Sequence, residues 1–204
     1  MTRTTVRIGG AVLALVVATQ LAACNPGTSP TSTPTATRTS STPTPVPSPT
    51  TTSPEDQAAA QAEEVVRNYY RAEVQCLVDP PHTPMSCYDN VAITTELDNL
   101  RNSLVSAQAM ATRVSGDIEV VSVDRESVDM TVRVPGQAAA VPVVTLSVCR
   151  DVSKFNIVDK DGNSIVPPDR KPRGRVEMHV ANYKYPDASQ WRVAFVVVPK
   201  DPSC

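Results

Sequence analysis

The sequence predicts an α+β domain with N-terminal helices packed on an antiparallel sheet. The apolar period carries this expectation. From about Ser53 to Arg113 apolar residues recur at helical spacing, and after Gly116 the period shortens to two. The order matters as well. Helices come first and a meander of strands follows, which is the α+β arrangement and not alternating β and α units.

The first helix is announced by Ser53-Pro54-Glu55-Asp56. This is an N-cap serine, a proline at the first helical position and an acid at the third. Ala62, Val65, Val66, Tyr69, Tyr70 and Leu77 then form one stripe, and the helix is expected to end near Asp79, before Pro80. A second helix is expected from about Thr95 to Arg113, with Leu97, Leu100, Leu104 and Ala107 as its stripe and Gly116 beyond its end. Strands follow. Ile118, Val120 and Ser122 alternate in the first. Val128, Met130, Val132 and Val134 alternate with Asp129, Thr131 and Arg133. Val143 to Arg150, Arg175 to Tyr183 and Gln190 to Val198 complete the set, with turn residues such as Asp161-Gly162-Asn163 between them.

This domain spans residues 55–204, and what precedes it reads as targeting and spacer. Met1 to Arg7 carries two arginines and no acid, and Ile8 to Ala18 is almost wholly apolar. Together they read as a secretory signal, too short for a permanent membrane span. Leu21-Ala22-Ala23-Cys24 follows and resembles a bacterial lipobox, in which the cysteine thiol is lipidated and the peptide is cut before it. Residues 1–23 are therefore expected to be a lipoprotein signal peptide, with Cys24 as the lipid anchor on the outer face of the cell membrane. Of the thirty residues from Asn25 to Pro54, 25 are Ser, Thr or Pro, and Arg38 is the only charge. Such a segment cannot form a core and favours polyproline-II geometry. Residues 24–54 are read as a disordered stalk reaching roughly 90 Å at ~3.1 Å per residue.

With Cys24 set aside, Cys76, Cys87, Cys149 and Cys204 remain. An even number in an exported domain suggests two disulfides, and four cysteines allow three pairings. Cys76–Cys87 and Cys149–Cys204 are favoured. The first would clip the Pro80–Pro84 loop to the end of the first helix, and the second would staple the C-terminal segment to a strand. No close pair of cysteines has metal-ligand spacing, and His82 and His179 lie far apart, so no metal is expected. The chain carries a net charge of -2. That balance gives no footprint for nucleic acid. Arg170, Lys171, Arg173 and Arg175 form the one basic cluster and read as a solvated loop.

Val148 to Asp151, Ile157 to Gly162 and Trp191 to Val193 carry a resemblance. With the layout, they make residues 55–204 similar to the NTF2-like (SnoaL-like) superfamily, and most of all to exported, lipid-anchored actinobacterial proteins of that class. The resemblance implies long helices set into the concave face of a strongly curved antiparallel sheet, a cone. Cones of this kind often hold ligands, and enzymes that resemble them use Asp, His and Tyr inside the cavity.

The candidate pocket polars are Tyr69, Tyr70, Glu177, His179 and Trp191. At least one tyrosine faces the sheet, as an amphipathic core residue would. Val176, Met178 and Val180 share one strand face, and Glu177 and His179 share the other. If the first face is core, the pair lies on the sheet exterior, which is the expected placement. If the second lines a cone, the pair enters the pocket. Trp191, Val193, Phe195 and Val197 are expected on one face. Asp159-Lys160-Asp161-Gly162-Asn163 reads as a β-turn and not a calcium loop. No nucleophile elbow, P-loop, zinc helix or dinucleotide fingerprint occurs.

The expected function is that of a membrane-anchored extracytoplasmic binding or accessory lipoprotein without an evident catalytic set or cofactor. Its partner would be an envelope protein or a small apolar ligand. The alternatives are a cone-pocket isomerase or dehydratase, and a homodimeric structural module of the envelope.

Overall fold

In a computed structural model of the chain, residues 52–204 are described. The segment read as a signal peptide, Cys24 and nearly all of the segment read as a stalk lie outside the described residues. Helix α1 spans Pro54–Gln75 and begins where the sequence places it, with the Asp56 amide donating to Ser53 Oγ at 3.1 Å. It ends four residues before Asp79. Cys76 is bonded to Cys87 across a Cα separation of 6.1 Å, and the intervening chain folds into short 3-10 turns at Pro80–His82 and Met85–Tyr88. The crosslink turns the chain back before another helical turn can form.

Helix α2 spans Thr94–Met110. Leu100, Leu104 and Ala107 are buried along its stripe, with Leu97 packed against the core. It stops short of Arg113 because Ala111 takes a left-handed backbone, φ 52°. The next residues form strand β1, Arg113–Ser115, whose Val114 is buried and whose Val114 amide donates to Leu77 O at 2.7 Å. Gly116 thus closes a strand, not a helix.

The principal sheet contains four antiparallel strands in the order β2-β3-β5-β6: β2 Glu119–Asp129, β3 Val143–Asp151, β5 Arg173–Asn182 and β6 Trp191–Val197. A two-stranded sheet pairs β1 with β4, Asn156–Val158. The fold is α+β, as expected. The two strands foreseen around Val120 and Val128 differ in detail. They form one strand, β2, broken by register shifts at Val120/Ser122 and Arg125/Ser127. β2 stops at Asp129 because Asp129 Oδ1 accepts from both the amide and hydroxyl of Thr131 at 2.7 Å.

Val144, Leu146 and Val148 on β3 and Val176, Met178 and Val180 on β5 point toward the helices and are buried. Trp191 and Val193 on β6 join them. Phe195 and Val197 do not, which corrects the single face drawn for that strand. Opposite His179 and Val180, β6 holds Phe195 and Val193, so Ala194 is an extra residue. This bulge reverses the alternation. Phe195 emerges on the far side of the sheet and stacks on His179 with ring centroids 3.9 Å apart. A small second cluster, Val141, Ala181 and Ala194, lies outside the main core.

Cys149 is bonded to Cys204, with Cα atoms 5.9 Å apart. The arginines of the basic cluster are engaged and not free in a loop. Arg170 donates to the Val152 and Phe155 carbonyls at 2.7 and 2.6 Å, Arg173 pairs with Asp151 at 2.9 Å, and Arg175 donates to Ser147 at 2.7 Å.

Gly116 has φ 81°, and a Cβ placed on it would lie 1.7 Å from the Lys154 carbonyl oxygen. Gly116→Ala is expected to cost on the order of 2 kcal/mol or more, because backbone must move as well as strain. Urea denaturation measures this. An unchanged midpoint would contradict the close approach.

Candidate functional site

Along α1, Val66, Tyr69, Tyr70, Glu73 and Val74 recur at helical spacing on the face turned to the core, and Leu77 packs on the core just beyond its end. Glu73 stands four residues from Tyr69, one turn along the same stripe. It is half-buried as a residue, yet its Oε2 is sealed from solvent and has no hydrogen-bond partner. Around it the fold brings Glu96 from α2, Tyr88 from the second 3-10 turn, Tyr69 and Tyr70 from α1, and Arg150 from β3.

The tyrosines are fixed by different contacts. Tyr69 Oη donates to Glu96 Oε1 across the interface between the helices, and Glu96 Oε2 accepts from Asn99 Nδ2 at 3.3 Å. Tyr70 meets Tyr69 edge-on with centroids 5.2 Å apart, and the Arg150 guanidinium lies 5.6 Å from its ring centroid. The hydroxyls of Tyr70 and Tyr88 are buried without partners. Buried polar atoms without a protein partner are uncommon, and three of them gather here.

Burial sets the protonation of the cluster. It pushes the Glu73 carboxyl up to about 7, with the nearby Glu96 adding and Arg150 opposing. It also raises the phenols. Tyr69 is raised further by the charges of Glu73 and Glu96, and Tyr88 further by that of Glu73, while Arg150 partly offsets the rise at Tyr70. All three stay protonated donors at neutral pH. Glu73 is brought by burial to titrate close to neutrality.

Glu73 lines a cavity of about 450 Å³ between the end of α1, α2 and the small sheet. Leu77, Leu100, Ala107, Val114, Phe155 and Ile157 form its apolar walls, and Ser103, Ser106, Met110 and Ile165 stand nearer its mouth. The exposed Arg113 also borders it. An apolar chamber with one carboxyl can hold a small organic molecule by its apolar body and fix it through one polar end. A carboxyl titrating near 7 can also take or give a proton. No group of three or more His, Cys, Asp or Glu gathers among the described residues.

The residues singled out from sequence distribute unevenly. Tyr69 and Tyr70 belong to the buried cluster around Glu73. Glu177 and His179 lie on the face of the sheet away from the helices, bonded to each other at 2.6 Å, and line neither large cavity. Of the two placements open from sequence they take the exterior one, because Val176, Met178 and Val180 fill the inner face. Trp191 borders a different cleft, of about 490 Å³, where its Nε1 donates to Gln61 Oε1 at 2.7 Å. Asp159 forms a turn, accepting from the Asp161 and Asn163 amides at 2.9 and 2.8 Å. Glu73, Tyr88, Glu96 and Arg150 were not singled out. Glu73 had a signal, an acid inside an apolar helical stripe. Arg150 had another, an inward position in a strand whose other inward residues are Val144, Leu146 and Val148.

Among known proteins, no family model and no curated protein matches the chain. Solved structures give weak likenesses. The intermembrane space region of the chloroplast protein ARC6 is 14% identical over 69% of this chain and 97% of that one, with a TM-score of 0.45. A de novo designed β-sheet protein is 12% identical over 71% of this chain and 92% of its own, with a TM-score of 0.29. Likenesses at these scores carry no argument about function.

Proposed function

We propose that this is a lipid-anchored extracytoplasmic binding protein whose domain, an NTF2-like cone, holds a small and largely apolar ligand in the Glu73 cavity. The cavity carries the reading: about 450 Å³ with largely apolar walls and a single carboxyl, that of Glu73, in its lining. The signal, the Leu-Ala-Ala-Cys motif and the stalk support the address. Two disulfides are in keeping with an oxidising compartment. Helices before strands, packed on one face of the four-stranded antiparallel sheet, support the cone.

A second reading, a proton-transfer enzyme, draws on Glu73 itself, since its carboxyl is pushed up to about 7. It has less support. Apart from Arg113 no other charged group lines the cavity, so a paired acid and base are not both at hand.

The full chain should sediment with membranes, and Cys24→Ala should appear in the soluble fraction. The soluble full-length variant should bind 1-octanol at one site by calorimetry. Ser106→Trp, at an exposed helix position beside the mouth, should weaken that binding by about tenfold, about 1.4 kcal/mol. Membrane retention of Cys24→Ala would remove the anchor from the reading, and binding of neither octanol nor a charged octyl analogue would remove the ligand.

A further inference from the structure

We propose that the ligand of the Glu73 cavity is a small aliphatic amine, bound as its ammonium ion with Glu73 as counter-ion. This rests on the binding reading above and names the polar chemistry of the same cavity.

Glu73 is the one acid among the residues that line the cavity, and Arg113 of β1, at its border, is exposed to water. Glu96 from α2 accepts at both oxygens, from Tyr69 and Asn99. Glu73 has no such partner: its Oε2 is sealed and accepts from no described residue, so a ligand meets the carboxylate at its other oxygen. The other groups facing Glu73 are the phenols of Tyr69, Tyr70 and Tyr88 and the Arg150 guanidinium of β3. A carboxylate set between apolar walls is best matched by a cationic donor.

The walls select its kind. A divalent metal ion favours several carboxylates, and the lining holds one, Glu73. An ammonium on a hydrocarbon body meets both requirements: three N–H donors for the carboxylate and a stem for Leu77, Leu100, Val114, Phe155 and Ile157. A carboxylate ligand would place a third negative charge beside Glu73 and Glu96. An alcohol would fill the walls but leave the charge uncompensated.

Binding is then linked to protons. Below pH 7 Glu73 holds a proton that the ammonium must displace, so affinity falls as pH drops. Above pH 7 the carboxylate is already formed and affinity levels off.

The test uses the full-length Cys24→Ala chain, free of lipid and detergent, with 1-octylamine, 1-octanol and octanoate in calorimetry from pH 5.5 to 8.5. At pH 8 octylamine should bind at least about tenfold more tightly than octanol, and octanoate more weakly than either. Octylamine affinity should fall by about tenfold per pH unit below 7. Its heat in buffers of different ionisation enthalpy should show proton release at pH 6 and none at pH 8.5. Glu73→Gln should abolish the amine preference and the pH dependence while octanol still binds. Octanol binding as tightly as octylamine, or a Glu73→Gln chain that keeps the amine preference, overturns the proposal and leaves the binding reading standing. If neither octanol nor octylamine binds, both fall.

Discussion

Replacing Glu73 with glutamine is expected to stabilise the folded domain at pH 8 by about 3 kcal/mol and to leave it unchanged at pH 4. Burial raises this carboxyl from its ordinary 4.5 to about 7 in the folded state. Between those values the folded chain keeps a proton that the unfolded chain has released. Stability is therefore lost as pH rises through that window and is level above it. Below 4.5 both states are protonated and no penalty applies. Glutamine keeps the shape and cannot ionise, so it removes the penalty. Urea denaturation at pH 4, 6 and 8, read as the difference between native and variant chains, isolates the effect from the other acids. Parallel stability profiles would mean that Glu73 titrates as an exposed glutamate does, and the candidate site would lose its central property.

Breaking Cys149–Cys204 is expected to be the most destabilising single change of the covalent frame. The bonded residues are 55 apart in sequence, against 11 for Cys76–Cys87. The entropy released to the unfolded chain grows with loop length, giving about 4 kcal/mol for the longer loop and about 3 for the shorter. Double replacement by alanine, Cys149→Ala with Cys204→Ala, should lower the denaturation midpoint more than Cys76→Ala with Cys87→Ala. The opposite order would show that native packing around the 76–87 turn, and not loop entropy, governs stability.

Legibility from sequence followed how local each cause was. Ser53 and Pro54 act within one turn, so the start of α1 could be read directly. β3 and β5 could be read as well, because alternation on a half-buried strand is a consequence of burial itself. The ends of both helices could not. α1 stops where Cys76 meets Cys87, and α2 stops at the left-handed Ala111, from which the chain turns to pair Arg113–Ser115 with the distant Asn156–Val158. The bulge at Ala194 has no mark in composition, so the outward turn of Phe195 was invisible. Tyr69 and Tyr70 were found through their aromatic rings. Glu73 and Arg150 stood in view on the same inward faces, but a helix stripe or strand read for apolar residues passes over a charge. The partnering of Glu96 with Tyr69, 27 positions apart, belongs to tertiary packing alone.

The free edge of β2 has a consequence for crowding. Copies held on one surface, as proposed, would collide sideways at high local density. An unpaired strand is where such collisions turn into polymer. Two register shifts bend this edge out of line, and Glu119, Asp124, Glu126 and Asp129 give it repeated negative charge, while Arg125 is held by Asp56 at 2.7 Å. Two such edges brought together would be out of phase and mutually repelled. Lateral packing would thus leave each domain an independent unit, and a dense layer of them would stay fluid.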